Sequence, residues 1–279
     1  MRPVLSMMMA SLSSRTNTML PLLLEQMKQL GSVNHEATMP SDSPGGSPDL
    51  RTRFTKYEVI GKVELIIFED NGILTSGVKR QWLLHQATGD YVCCVDDDDE
   101  VTPDYISYLL FAARSKADVL TLNLAFHREG EMTETWKFGL YRNMRTSGLM
   151  CVNHLCAWKI DIAKQVAWDP NLGHSDDRVW FEPLFYANLI HTQFHIDKAL
   201  YKYMYSAAIT SNQTLEAREK SKAYFKRGLR CFKKDRELFV EVPGKKHIGV
   251  DLLTIRDKNN KSFYISEQDR TYTHYHTIR

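Results

Sequence analysis

Four consecutive aspartates, Asp96, Asp97, Asp98 and Asp99, are the run of this sequence with the clearest chemical potential. They follow the apolar segment Tyr91–Val95, whose pattern predicts a buried strand. Carboxylates at alternate positions, Asp96 and Asp98, can face one divalent cation that keeps water molecules and takes phosphate oxygens. The alternative is a solvated acidic turn. We favour the metal site, because a strand delivers the run to a sheet edge and a cation would relieve its self-repulsion.

A second acidic pair, Glu69 and Asp70, follows the predicted strand Val63–Phe68. One interpretation is that these residues stabilise a turn with Asn71-Gly72. The other is that a carboxylate accepts hydrogen bonds from the base or ribose of a nucleotide. Both interpretations stay open on the residues alone.

Basic residues that could take part in chemistry lie at two further places. Lys79 and Arg80 lie on a predicted helix, where they either neutralise phosphate or are simply solvated. Asp176, Asp177 and Arg178 lie between a loop and another predicted helix. Asp176 suits a helix cap, but an acid beside a fixed arginine and aromatic walls is also how a general base is oriented.

The elements that must position these residues alternate between strand and helix. A strand (Val4–Met9) and an amphipathic helix closed by Gly31 form the first unit, and strands at 63–68, 91–95 and 118–125 follow. This alternation predicts an α/β fold with a mostly parallel sheet flanked by helices, in which ligands bind beyond the carboxyl ends of the strands. The acidic runs lie at that edge.

Other segments are less regular. Residues 32–54 are rich in Pro, Gly, Ser and Asp and predict a mobile surface loop. A short helix is expected over Ile160–Val166 and a charged helix over 215–239, and eleven Lys or Arg against five Asp or Glu give residues 216–247 a charge of +6. We expect strands after 248. The predicted divisions are 1–125, 126–210 and a helical and short β extension at 211–279.

Composition excludes several classes of protein. The chain has 279 residues, a net charge of +2 and 43% hydrophobic residues, so it can fill a core, and its charge alone does not indicate a nucleic-acid binder. Its five cysteines lack CxxC spacing, which argues against a disulfide framework or a zinc knuckle and favours a reducing cytoplasm. No uncharged run reaches the length of a membrane span, and we interpret the apolar stretch 4–12 as a strand rather than a signal peptide.

Several motifs in order resemble the family 2 glycosyltransferases. The resemblance runs from about Val4 to Tyr205, and the chain is similar to compact members of this family of bacteriophage type. It is carried by Thr75-Ser76-Gly77-Val78-Lys79-Arg80, Gly89-Asp90-Tyr91, Val95-Asp96-Asp97-Asp98-Asp99-Glu100-Val101, Asn153-His154-Leu155 with Lys159, Asp176-Asp177-Arg178, and His195-Ile196-Asp197-Lys198-Ala199-Leu200-Tyr201.

The resemblance implies a Rossmann-like GT-A fold and transfer of a sugar from a nucleotide sugar, with UDP as the expected nucleotide, to a hydroxyl group. It makes 1–125 the donor-binding half and 126–210 the acceptor-binding half. The implied donor contacts are Ala10, Glu69, Asp70, Lys79, Arg80, Asp96 and Asp97; the implied Mn²⁺ or Mg²⁺ ligands are Asp98 and Asp96; the base is Asp177 or Asp176; and the acceptor contacts are His154, Arg178, Trp136 and Tyr141.

The chain departs from the family pattern at three places. Val78 and Gln81 stand where Glu and Asn are common, and Asp176 stands where Glu is usual, so the roles of Asp176 and Asp177 stay open. The 32–54 insertion has no assigned role. Charge predicts one displacement with inversion: the cation stabilises the departing diphosphate while a carboxylate removes the acceptor proton from the opposite side.

Histidines offer alternatives. His195 could complete the metal site, although a structural histidine is the favoured interpretation. His274 and His276 share one side of a predicted strand and could bind a metal, but no third ligand accompanies them.

The acceptor is open. The +6 segment and the aromatic residues slightly favour a 5-hydroxymethyl-pyrimidine in double-stranded DNA over a surface saccharide. A third hypothesis, from another class, is a nucleic-acid-binding protein on a transferase scaffold without catalysis.

Overall fold

The computed structural model describes residues 1–13, 17–38, 53–72, 74–140, 148–169, 176–186, 189–206, 230–234, 237–241 and 275–278. The helices within these ranges are α1 (Met19–Leu30), α2 (Ser76–Gln86), α3 (Tyr105–Ala113), α4 (Ile160–Ala163) and α5 (Asp176–Tyr186). The strands are β1 (Leu5–Leu12), β2 (Asn34–Thr38), β3 (Arg53–Val59), β4 (Val63–Asp70), β5 (Tyr91–Cys94), β6 (Glu100–Val101), β7 (Val119–Arg128), β8 (Glu131–Gly139), β9 (Leu149–Cys151), β10 (Ala157–Lys159), β11 (Gln193–Tyr205), β12 (Arg230–Lys234), β13 (Glu237–Glu241) and β14 (Tyr275–Ile278).

One large sheet organises the fold, with the strand order β14-β11-β7-β10-β5-β1-β4-β3-β2 along its main path. β1 pairs in parallel with β4 and β5, and β7 pairs in parallel with β11. β10 lies antiparallel between β5 and β7, and β3 is antiparallel to both β2 and β4. The predicted α/β class is confirmed. The sheet is mixed rather than mostly parallel. The sequence pattern did not predict the short strands β10 and β2, whose pairings are antiparallel.

Both faces of the sheet are covered in its centre. Successive residues of a strand point to opposite faces, and all residues from Leu5 to Met9 are at most 2% exposed. α2 packs against β1 and β4, whereas α3 packs against β7 and β11. Burial on both faces explains why β1 and β4 read as apolar runs rather than as alternating patterns. Among the described residues, none of the helices combines the length and the apolar character that a membrane span requires.

The mobile loop predicted for 32–54 is wrong at both ends. Asn34–Thr38 forms β2, which pairs with β3 from Thr38 opposite Phe54 to Asn34 opposite Glu58. β2 is the last strand of the sheet path, and its residues Asn34, His35 and Glu36 are exposed, as polar and charged residues on edge strands commonly are. Residues 39–52 lie outside the described part of the chain.

The helix predicted for 215–239 is wrong in its second half. Arg230–Lys234 and Glu237–Glu241 pair as antiparallel strands, with Phe232 opposite Phe239. Phe232, Phe239 and Val240 favour strands, and their charged neighbours had suggested a solvated helix face. Residues 207–229 lie outside the described ranges, so the first half of that prediction is untested.

Candidate active site at the carboxyl edge of the sheet

The acidic runs meet at one edge of the sheet, as predicted. β1, β4 and β5 are parallel, so their carboxyl ends lie at the same edge. There Leu12 stands opposite Asp70 in register, and the four aspartates leave the end of β5. Ala10 and Glu69 are half-buried at the same ends of β1 and β4.

Asp97 holds the loop after β5 against β1. Its Oδ2 accepts hydrogen bonds from Oγ of Ser11 at 2.8 Å and from the backbone N–H of Leu12 at 3.1 Å, and the residue is 2% exposed. The structure therefore places this implied donor contact in the wall of the site, directed at β1.

Lys79 and Asp70 form a buried ion pair. Nζ of Lys79 lies 2.9 Å from Oδ1 of Asp70 and donates a second hydrogen bond to the carbonyl of Ser11, also at 2.9 Å. The other oxygen of Asp70 accepts from the backbone N–H of Leu74, and Oδ1 also accepts from Gly72. The structure thus shows the turn interpretation of Asp70, and it places Lys79 beneath the site rather than at its surface.

Arg80 joins three elements at the site. Its Nη1 donates to both carboxylate oxygens of Asp176 at 3.0 and 2.9 Å, and its Nη2 donates to Oδ1 of Asp96 at 2.8 Å. Its guanidinium lies 5.2 Å from the ring centre of Trp168. Burial disfavours the charge, but Asp176 and Asp96 outweigh it and raise the pKa of Arg80 well above its usual value. The side chain is therefore a permanent cation that links α2, α5 and the loop after β5.

His154 lies between two acids. Nδ1 is 3.2 Å from Oδ2 of Asp177, and Nε2 is 3.3 Å from Oδ2 of Asp96. Burial and the charge of Arg80 lower the pKa of His154, yet the two carboxylates outweigh them and raise it to about 9. A protonated imidazole donates through both ring nitrogens, which matches these two contacts. The predicted acceptor contact is thus a bridge inside the acidic cluster.

Asp96 is bonded to cations at both oxygens, Oδ1 to Arg80 and Oδ2 to His154. Burial raises the pKa of Asp96, but these two cations outweigh burial and lower it far below its ordinary range. This arrangement does not fit Asp96 as a direct metal ligand. No group of three His, Cys, Asp or Glu residues among the described ones forms a ready-made metal cage.

Asp98 is the acid of the run whose setting fits a divalent cation. It is half-buried, between the inward-facing Asp97 and Asp99, and Mg²⁺ commonly takes one or two protein carboxylates and completes its shell with water and phosphate oxygens. A site of this kind needs Asp98 and a diphosphate rather than a protein cage.

A contact between Asp99 and Tyr201 was not predicted from the sequence. The hydroxyl of Tyr201 donates to Oδ2 of Asp99 at 2.9 Å and accepts from the backbone N–H of Asp96 at 3.0 Å. Burial and the charges of Asp96 and Asp98 raise the pKa of Asp99 well above its usual value. The alternating Tyr residues at the end of β11 were the only sequence signal for this contact.

The remaining predicted residues are dispersed. Arg178 is half-buried in the first turn of α5, whereas Trp136 is 5% exposed on β8. Tyr141 and His274 lie outside the described residues. His195 is 1% exposed and contacts Oγ1 of Thr121 through Nδ1 at 2.9 Å, as a structural histidine does. Only the backbone of His276 is described, in β14.

Comparison with known proteins places the chain beside sugar-transferring enzymes. Residues 43–158 match the family described as Glycosyl transferase family 2. The resemblance to family 2 glycosyltransferases is confirmed. The matched segment contains Lys79, Arg80 and the four aspartates, and it ends before Asp176 and Asp177.

One curated relative is the "Putative glycosyltransferase EpsH" of Bacillus subtilis (strain 168), 27% identical over 124 residues, which are 44% of this chain and 34% of EpsH. Among solved structures, S. aureus TarS 1–349 aligns with a TM-score of 0.47 and 18% identity, covering 72% of this chain and 60% of that chain. The same fragment in complex with UDP-GlcNAc aligns with a TM-score of 0.47 and 14% identity, covering 73% and 59%. This chain thus spans about a third of EpsH and about 60% of the TarS fragment.

Proposed function

We propose that this chain is an inverting, metal-dependent glycosyltransferase that moves a sugar from a nucleotide sugar to a hydroxyl acceptor. The observation that carries the proposal is the placement of Asp177, held by His154, in one cluster with the acids at the carboxyl edge of the sheet. The family resemblance over 43–158 supports the donor chemistry.

Asp177 suits the role of general base better than Asp176 does. Both carboxylate oxygens of Asp176 accept hydrogen bonds from Arg80, and its side chain is 4% exposed, whereas the side chain of Asp177 is 21% exposed. Burial raises the pKa of Asp177, but the hydrogen bond and charge of His154 outweigh burial and lower it. An ionised, partly accessible carboxylate is what removal of the acceptor proton requires.

Asp98 is the residue that would hold Mg²⁺ or Mn²⁺. When bound, the cation supplies Lewis-acid stabilisation of the diphosphate that leaves. Asp97 fixes the loop that carries Asp98, because its carboxylate is bonded to Ser11 and Leu12 of β1. Arg80 and His154 neutralise Asp96 and Asp176, so a diphosphate approaching Asp98 meets less negative charge than the sequence suggests.

The DNA acceptor stays a prediction. Its main support was the basic segment 216–247, of which the structure describes only the backbone of β12 and β13. Only a measurement of nucleotide-sugar turnover distinguishes the enzyme from the non-catalytic alternative.

The direct test is nucleotide release. The chain is incubated with Mn²⁺ and a panel of UDP-, GDP- and dTDP-sugars, and the freed nucleoside diphosphate is measured with and without EDTA. We expect slow hydrolysis of one donor that EDTA abolishes and excess Mn²⁺ restores. Binding of a donor without any release, or release that EDTA does not affect, would contradict the proposal.

A further inference from the structure

Four aromatic rings on β7, β8 and β11 pack together near the acidic edge, three of them stacked and the fourth tilted. We name Trp136, Phe126, Tyr203 and Tyr205 the aromatic ladder. The ring centre of Phe126 lies 4.7 Å from that of Trp136, with planes 27° apart, and 5.5 Å from that of Tyr203, with planes 11° apart. Tyr205 follows at 6.1 Å from Phe126. Trp136, Phe126 and Tyr203 are therefore stacked, and Tyr205 is tilted by 32° against Phe126.

The ladder begins at the acidic run. Tyr201, Tyr203 and Tyr205 alternate along β11 in unbroken register with β7, so they point to one face. The hydroxyl of Tyr201 bonds Asp99, and the backbone N–H of Met204 donates to Oδ1 of Asp99 at 2.7 Å. Tyr203 therefore lies between two residues that are tied directly to the loop of the predicted metal site.

The two halves of the ladder differ in exposure. Trp136 and Phe126 are each 5% exposed and form its base. Tyr203 and Tyr205 are half-buried and form its more accessible half. The implied acceptor contact Trp136 thus supports a surface from beneath instead of presenting it.

Charge around the ladder selects against a polyanion. The turn between β7 and β8 and its flanks, 128–134, carry three glutamates against one arginine. That arginine, Arg128, lies with its guanidinium 5.4 Å from the ring centre of Tyr205, while Glu129 accepts a hydrogen bond from Ser206 at 3.1 Å. With Asp98 at the other end, a phosphate backbone would be repelled, whereas an uncharged sugar would not.

We propose that Tyr203 forms the acceptor platform, with Tyr205 and Arg128 at its rim, on which one ring of a neutral saccharide stacks so that a hydroxyl reaches Asp177. A pyranose has an apolar face of C–H groups and a rim of hydroxyls, and aromatic surfaces beside a few polar groups are typical of ligand sites. This inference rests on the proposed function and names the substrate class for the same site.

The test measures transfer and donor hydrolysis separately. Wild type, Tyr203→Ala, Tyr203→Phe and Tyr205→Ala are assayed with the hydrolysed donor, Mn²⁺ and a panel of neutral p-nitrophenyl glycosides. Tyr57→Ala is the matched control, since Tyr57 is also half-buried and stacked, on His35 at 4.7 Å, but lies on β3. Donor hydrolysis without acceptor reports whether each variant is folded and active.

We expect Tyr203→Ala to raise the KM for the glycoside roughly 2- to 12-fold, with the KM for the donor unchanged. Tyr205→Ala should shift the same constant in the same direction, while Tyr203→Phe and Tyr57→Ala should leave it unchanged. An unchanged glycoside KM in both alanine variants would overturn the platform. Wild-type donor hydrolysis without transfer to any glycoside, including transfer only to hydroxymethylated DNA, would overturn it while the proposed function stands. Absence of wild-type hydrolysis would overturn both.

Discussion

Oδ2 of Asp177 lies 3.2 Å from Nδ1 of His154, so the proposed base is fixed by a buried imidazole. The same ring contacts Asp96 at 3.3 Å, which ties the first turn of α5 to the loop after β5. Asp177 also lies in the first turn of α5, where the helix dipole favours a negative charge. His154 therefore fixes the position of the base, and both His154 and the helix dipole favour its ionised form.

His154→Gln tests the positioning of the base. Because the imidazolium keeps Asp177 ionised and oriented, we expect the variant to lower kcat for transfer by about 10-fold or more, within the range of general-base contributions. The KM for the donor should change little, since His154 contacts Asp96 and Asp177 rather than the proposed cation ligand Asp98. Steady-state kinetics would contradict this role if kcat were unchanged.

The same residue predicts how stability depends on pH. The pKa of His154 is raised to about 9 in the folded chain, against about 6.5 for an unfolded histidine. The folded state therefore binds the proton more tightly, and this stabilisation, on the order of 3 kcal/mol, is complete below about pH 6.5 and disappears as the pH rises through 9. Urea unfolding at pH 6 and pH 9.5 should show the difference between wild type and His154→Gln shrinking at the higher pH; a constant difference would contradict it.

Lys79 is predicted to act on stability rather than on donor binding. Lys79→Met leaves Asp70 buried without its cation, which costs about 3–5 kcal/mol. Lys28→Met is the matched control, because Lys28 pairs with Glu25 on an exposed helix face, where such pairs contribute little. Chemical denaturation should separate the two variants; a stable Lys79→Met with an altered donor KM would instead support the original nucleotide contact.

Asp98 is predicted to be the residue that binds the cation. Asp98→Asn should weaken Mn²⁺ binding in the presence of UDP, because a neutral amide replaces a carboxylate ligand. Asp90→Asn is the control: Asp90 precedes β5 at the opposite edge of the sheet and pairs with Arg2 at 3.1 Å. Free Mn²⁺ is measured by electron paramagnetic resonance. Equal Mn²⁺ affinity in the two variants would contradict the role of Asp98.

Sequence patterns predicted the strands that carry the site because those strands are buried on both faces. β1, β4 and β5 read as apolar runs followed by polar groups, and that alone brought the acids to one edge. β2 was not predicted because a polar edge strand resembles a loop. β12 and β13 were not predicted because charged residues surround the few strand-forming ones.

The different contacts of the neighbouring aspartates could not be predicted from the sequence. Asp96, Asp97 and Asp99 are identical in type and lie within four residues, yet they bond to Arg80 and His154, to β1 and to β11, respectively. Those partners are 85 to 105 residues away in several cases, and local patterns carry no information about them. The same holds for His154, whose two acids lie 23 and 58 residues away.

Asp177→Asn tests the central claim most directly, by the kcat for sugar transfer at saturating donor and Mn²⁺. An amide keeps the size of the side chain but cannot accept the acceptor proton, so we predict that kcat falls by about 10²- to 10⁴-fold while UDP binding, measured by calorimetry, is retained. A variant that binds UDP and transfers sugar at the wild-type rate would contradict the assignment of Asp177 as the base.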